Sequence, residues 1–237
     1  MKILKVERII LASIGLVFMV NCSQKRELTQ GKIFAALNFQ QTGISFSNVL
    51  TENDSLNYFT YPYLYMGGGV AAGDINNDGL IDLFFTGNQV SNKLYLNKGD
   101  LKFEDITVNA GIGGDDRWYS GVTMADINGD GFLDIYCSVG GKSGTKNNQL
   151  FINNGDGTFN EKAKEYGVDN IGNSVQSTFF DYDKDGDLDL YVANYPPTKF
   201  DSPSFVYLYN MKNVSDTDTD YLYRNDGDKF TNVTNES

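Results

Sequence analysis

Gly73-Asp74-Ile75-Asn76-Asn77-Asp78-Gly79-Leu80-Ile81-Asp82 decides the fold, because the same run returns twice further along the chain. The second copy is Ala125-Asp126-Ile127-Asn128-Gly129-Asp130-Gly131-Phe132-Leu133-Asp134, and the third is Phe180-Asp181-Tyr182-Asp183-Lys184-Asp185-Gly186-Asp187-Leu188-Asp189. Their first aspartates lie 52 and 55 residues apart, a period that suits one four-stranded propeller blade and exceeds most helical solenoid units. Each copy leads to a second shared run: Lys93 to Asn97 followed by Phe103, Gln149 to Asn153 followed by Phe159, and Tyr221 to Asn225 followed by Phe230. Read by periodicity, every unit has one strand entering the Asp-rich loop, one leaving it, and a hairpin turned at Gly-Asp or Asp-Gly. The expected fold is therefore all-β, a β-propeller whose blades of four antiparallel strands cover about 67–110, 119–166 and 174–235. Phe46-Ser47-Asn48-Val49 repeats the fourth-strand pattern and is expected to be a strand donated to the last blade of a closed ring.

The loops carry the chemistry. Oxygen side chains fall at positions 1, 3, 5 and 9: Asp74, Asn76, Asp78 and Asp82, then Asp126, Asn128, Asp130 and Asp134, then Asp181, Asp183, Asp185 and Asp189. Glycine at position 6 permits the sharp turn that gathers them around one cation, and position 7 (Leu80, Phe132, Asp187) can add a backbone carbonyl. Several hard oxygen ligands in a flexible loop suit Ca²⁺ better than Mg²⁺, so up to three structural calcium ions are expected. An EF-hand would need a glutamate at position 12, where Phe85, Cys137 and Val192 stand in strand-like runs. Turn-forming Asp, Asn and Gly without any ion are the plain alternative for a single copy; three copies at one period favour cation loops.

Composition agrees with short strands and tight turns: 25 Gly, 15 Tyr and 16 Phe among many Asn and Asp, with 41% hydrophobic residues to build a core. The net charge of −12 disfavours nucleic acid as a partner. Histidine is absent, which excludes His-based triads and zinc–histidine sites.

A basic flank (Lys2, Lys5, Arg8) and an apolar run from Ile9 to Val20 read as an export signal, too short to span a bilayer. Phe18-Met19-Val20-Asn21-Cys22 resembles a lipobox, with Asn21 departing from the usual small residue. The expected organisation is a lipoprotein signal peptide over 1–21, lipidation at Cys22, a linker over 22–34 and propeller repeats over 35–237. The expected location is the outer membrane, facing the cell surface or the periplasm, with membrane contact only through the lipid anchor. Cys137 would be the one remaining cysteine, a small core residue unable to form an intramolecular disulfide.

These loops resemble the FG-GAP or VCBS repeats of integrin α-subunit heads and bacterial surface proteins. Phe59-Thr60-Tyr61 with Gly67-Gly68-Gly69-Val70-Ala71-Ala72-Gly73-Asp74 further resembles bacterial lipoproteins related to cartilage acidic protein, in which the propeller precedes a UnbV-type domain that has no counterpart in this sequence. The resemblance covers roughly 35–237 and implies a seven-bladed calcium propeller, of which three blades and one donated strand are expected here. Against the four to eight blades of a propeller, the chain reads as a truncated piece.

Function is expected to be binding or scaffolding, without catalysis, toward protein or carbohydrate at the cell surface. The connection between second and third strands and the link between blades emerge opposite the Asp loops, and the longest such connection, 195–220, holds Tyr195, Phe200, Phe205 and Tyr207. Trp118 and Tyr119 join these as candidate contacts, with plain packing as the alternative. The rival reading is part of a carbohydrate-active propeller, a polysaccharide lyase or hydrolase. Nearly all patterned carboxylates are already assigned to the loops, and no catalytic motif accompanies them. A module that only presents another domain is the third reading.

Overall fold

Alternating side chains and loop chemistry fold the chain into three antiparallel sheets, each of four strands joined in sequence order. The computed structural model describes residues 34–142, 144–196, 202–213, 219–227 and 229–235; Cys22 and the expected signal segment lie outside them. Among the described residues, no helix is long and apolar enough to cross a membrane. The three sheets lie within the compact unit Asn38–Ser237.

Blade 1 comprises β1 (Val70–Gly73), β2 (Asp82–Phe85), β3 (Lys93–Asn97) and β4 (Phe103–Asp105). Blade 2 comprises β5 (Trp118–Ala125), β6 (Asp134–Gly140), β7 (Gln149–Asn153) and β8 (Phe159–Glu161), and blade 3 comprises β9 (Ser174–Phe180), β10 (Asp189–Asn194), β11 (Tyr221–Asn225) and β12 (Phe230–Asn232). Each Asp-rich loop joins a first strand to a second, as the register Gly73 to Asp82, Ala125 to Asp134 and Phe180 to Asp189 requires.

The middle blade is buried on both faces, and β6 shows how one strand serves two interfaces. Ile135, Cys137 and Val139 join the core between blades 1 and 2, with Phe84, Leu94 and Ile112. Tyr136, pointing the other way, joins Leu190, Val192 and Tyr223 in the core between blades 2 and 3. Period-two alternation thus feeds two cores instead of one core and solvent, so every residue of β6 is buried. Cys137 is fully buried, and burial pushes its thiol well above the usual range. The first strands approach so closely that a Cβ on Gly121 would sit 2.4 Å from the Val175 carbonyl oxygen, which leaves room only for glycine there.

Polar welds supplement the cores. Asn153 Nδ2, at the end of β7, donates to the Ile75 carbonyl of blade 1 at 2.8 Å and to Leu133 O of its own blade at 3.1 Å. Asn225 repeats this one blade on, reaching Ile127 O and Leu188 O. Asn97, their counterpart in blade 1, donates to Ile81 O within its own blade.

The amino-terminal segment corrects one expectation. Residues 46–49 pair with no strand of the three sheets among the described residues. Phe46 instead stacks its ring on Phe85 of blade 1, with centroids 5.1 Å apart, and Ser45 N–H donates to the Tyr95 hydroxyl. The repeat unit present here lies a few residues earlier. One-turn helices at Phe39–Thr42, Thr107–Ala110 and Ala163–Tyr166 each end in a left-handed glycine, Gly43, Gly111 or Gly167. Each glycine faces the carbonyl of a fourth-strand phenylalanine, Phe103, Phe159 or Phe230 respectively. Residues 38–45 thus have the form of the turn that follows a fourth strand, and the short Phe-x-x-Val match was too brief to separate the two.

Asn153→Ala removes a bond between blades and strands the buried Ile75 carbonyl, so it is expected to cost about 2–4 kcal/mol. Asn97→Ala, which breaks bonds only within blade 1, should cost about 1 kcal/mol. Urea unfolding of the two variants measures the difference, and equal losses would reject the weld.

Candidate metal centres

The three loops share a backbone path. Position 6 is left-handed in each, with φ of 84° at Gly79, 89° at Gly131 and 101° at Gly186. Position 4 is left-handed as well, at Asn77, Gly129 and Lys184. Asn and Gly enter that region easily, whereas lysine there carries backbone strain.

Position 9 ties the loop to the sheet. Asp82 accepts from Ile75 N–H at 3.0 Å with one oxygen and from Asn97 N–H at 2.7 Å with the other. Asp134 does the same with Ile127 and Asn153, and Asp189 with Tyr182 and Asn225. All three are buried. Each carboxylate therefore clamps the second loop residue to the third strand, a role the ligand pattern did not reveal. Burial pushes Asp82 above its ordinary range and Asp134 up to about 6, the neighbouring carboxylates adding to the effect and the N–H donors opposing it.

Loops 1 and 2 close on internal hydrogen bonds. Asp74 accepts from Asp78 N–H and Gly79 N–H, Asn76 Nδ2 donates to Asp78, and Asp78 accepts from Leu80 N–H. Asp126, Asn128, Asp130 and Phe132 repeat each of these bonds. Loop 3 differs at position 1, where Asp181 accepts from Lys184 N–H, while Asp185 accepts from Asp187 N–H as Asp78 and Asp130 do from Leu80 and Phe132. There Asp181, Asp183 and Asp189 can each place an oxygen within 4.8 Å of the others. Oxygens about 2.4 Å from one calcium ion can be at most about 4.8 Å apart, so this spacing fits a shared cation. The Oδ1 of Asp187 is out of solvent and has no hydrogen-bond partner among the described residues. Desolvation and then the Asp185 carboxylate push Asp187 up to about 6; Asp183 is raised by desolvation and by Asp185 and Asp189. These groups resist ionisation, and a bound cation relieves that resistance. With only oxygen donors, the set suits a hard divalent ion.

The opposite end of the blades holds the candidate partner residues. Trp118 is largely buried, edge-on to Tyr61 at 5.6 Å, in a cluster with Leu64. Tyr119 is fully buried, its hydroxyl donating to Gln149 Oε1 at 2.6 Å, so it belongs to the core and offers no exposed face. Tyr195 shares a 2.6 Å hydroxyl contact with Tyr61 and packs its ring against Tyr63. Phe205 and Tyr207 are exposed on the helix Ser204–Lys212, and Phe200 lies outside the described residues. Sequence reading missed the segment 50–66, which packs Leu50, Leu56, Tyr61 and Tyr63 over this end. Its signal was the aromatic run Tyr58 to Tyr65. With the β2–β3 loop it borders a cleft of about 600 Å³ lined by Thr51, Asn53, Gln89, Ser91, Asp116 and Trp118, among others.

Four-stranded antiparallel blades stacked face to face, each with an Asp-rich loop between its first two strands, define a β-propeller repeat protein. The FG-GAP-like repeat model matches residues 64–137 and 138–192, and the chain belongs to that family. Among curated relatives, cartilage acidic protein 1 of Xenopus tropicalis is 32% identical over 161 residues, 67% of this chain and 23% of the relative. Human cartilage acidic protein 1 is 38% identical over 72 residues, 30% of this chain and 11% of the relative. The matches thus span less than a quarter of either relative.

Asp134→Ala should cost about 3 kcal/mol even in chelator, because it leaves two buried N–H groups without an acceptor. Asp130→Ala, at an exposed position, should cost less than about 1 kcal/mol in chelator. Urea unfolding in EDTA tests both, and an Asp134→Ala variant as stable as the parent would show that the clamp is not structural.

Proposed function

We propose that this chain is a calcium-stabilised binding module of an exported, lipid-anchored protein, holding a protein or carbohydrate partner at the end of the blades opposite the Asp loops. The observation that carries the reading is the separation of roles between the two ends. At one, oxygen donors cluster in loops bound into the sheets by Asp82, Asp134 and Asp189. At the other, a polar cleft opens beside packed aromatic side chains, the arrangement expected where rigid blades present connections for recognition. The ions would be held by side chains at positions 1, 3, 5 and 9 and would rigidify the loops by offsetting their carboxylate repulsion.

A binding role is favoured over catalysis by the state of the cleft's acids. Asp115 pairs with Arg117 and donates its N–H to the Tyr119 hydroxyl. That engagement leaves Asp116 without the partner carboxylate that glycoside chemistry uses.

Thermal unfolding in millimolar calcium, in magnesium and in chelator is the test. Extracellular calcium modules bind at about 10⁻⁴ to 10⁻³ M, so 2 mM calcium should stabilise by about 0.6–1.8 kcal/mol per site. The gain should vanish when Asp78, Asp130 and Asp185 are all changed to Ala. An unchanged midpoint in calcium would overturn the cation reading. For the cleft, a glycan array probed with the calcium-loaded chain should lose its signal on Asp116→Ala with Ser91→Ala, and a surviving signal would place binding elsewhere.

A further inference from the structure

The three loops are alike in path and unlike in charge. Loops 1 and 2 each combine three carboxylates with one amide, Asn76 or Asn128, whereas loop 3 has Asp181, Asp183, Asp185, Asp187 and Asp189. The amides matter because each donates to the position-5 carboxylate, Asp78 or Asp130, at 3.0 and 2.9 Å. Asp183 has no N–H to donate in their place. The position-1 carboxylates of loops 1 and 2 accept from the N–H groups of positions 5 and 6, while Asp181 accepts from Lys184 N–H at position 4. Loops 1 and 2 therefore satisfy more of their carboxylate oxygens with their own N–H donors. Loop 3 brings carboxylates together instead, with Asp181, Asp183 and Asp189 converging and the Asp187 Oδ1 withdrawn from solvent, with no hydrogen-bond donor among the described residues. Asp187 occupies the position where the other loops have Leu80 and Phe132.

Resting on the reading of these loops as cation sites, we infer that loop 3 takes the first divalent cation and that the side chain of Asp187, a fifth carboxylate, sets this order. Affinity in oxygen-ligand loops rises with the number of charged ligands. A loop already closed on hydrogen bonds must also give some of them up to bind an ion. Both effects place loop 3 ahead of loops 1 and 2.

Terbium, which takes the same oxygen ligands as calcium, reads the order directly. Tyr182 lies inside loop 3 and Tyr166 near the Asp134 and Asp130 carboxylates of loop 2, so each can sensitise emission from its own site. In titrations of the full chain, emission should rise with the first equivalent, and Tyr182→Phe should abolish that rise while Tyr166→Phe leaves it intact. Asp187→Asn should weaken the first calcium site at least about tenfold by calorimetry and competition with terbium. The converse variant, Leu80→Asp, should tighten loop 1 and serves if Asp187→Asn fails to fold. First-equivalent emission lost with Tyr166→Phe and kept with Tyr182→Phe would overturn the order. An unchanged first affinity in Asp187→Asn, or an unchanged loop 1 in Leu80→Asp, would overturn the role of the fifth carboxylate. No emission and no heat in any loop would instead remove the cation reading itself, so the two failures are distinct.

Discussion

The rest of the structure depends on a buried carboxylate that accepts two backbone N–H groups at once. Asp82, Asp134 and Asp189 each join the second residue of a loop to the last residue of a third strand. Without that double acceptance, the Asp-rich loop would be a flexible turn hanging from two strand ends. With it, the loop's second residue is held in place: Ile75 and Ile127 are buried in the inter-blade cores, and their carbonyls face the asparagines of the next blade. Loop, third strand and neighbouring blade are thus fixed by one set of bonds, in which both oxygens of each position-9 carboxylate have a partner.

That arrangement separates two kinds of aspartate that look identical in sequence. Position 9 is committed to the backbone whether or not an ion is present. Positions 1, 3 and 5 stay exposed or half-exposed and hold weaker bonds among themselves. A cation therefore acts on a loop whose ends are already set, which limits the ordering entropy that binding must overcome.

Much of this was legible in the sequence. The 52- and 55-residue spacing located all three blades, and the paired hydrophobic runs located their strands, because repetition turns weak local signals into a strong one. What escaped notice depended on tertiary contacts. Trp118 and Tyr119 looked like surface aromatics beside a loop, but the segment 50–66 covers the first and the core encloses the second. Phe46 matched a strand pattern of four residues, too few to distinguish an edge strand from a side chain stacked on Phe85. Lys184 gave no hint of its left-handed backbone, since Asn77 and Gly129 signal that region and lysine does not.

The bond from Asn153 to Ile75 also bears on how such a chain can grow. Its donor sits in one blade and its acceptor in the loop of the blade before, so the middle blade carries half of two joints. Any blade with an apolar second loop residue and an asparagine closing its third strand fits before or after any other. Duplicating one such segment in the gene then adds a blade with both joints already matched, and ring size becomes a property that evolution can change without redesigning an interface.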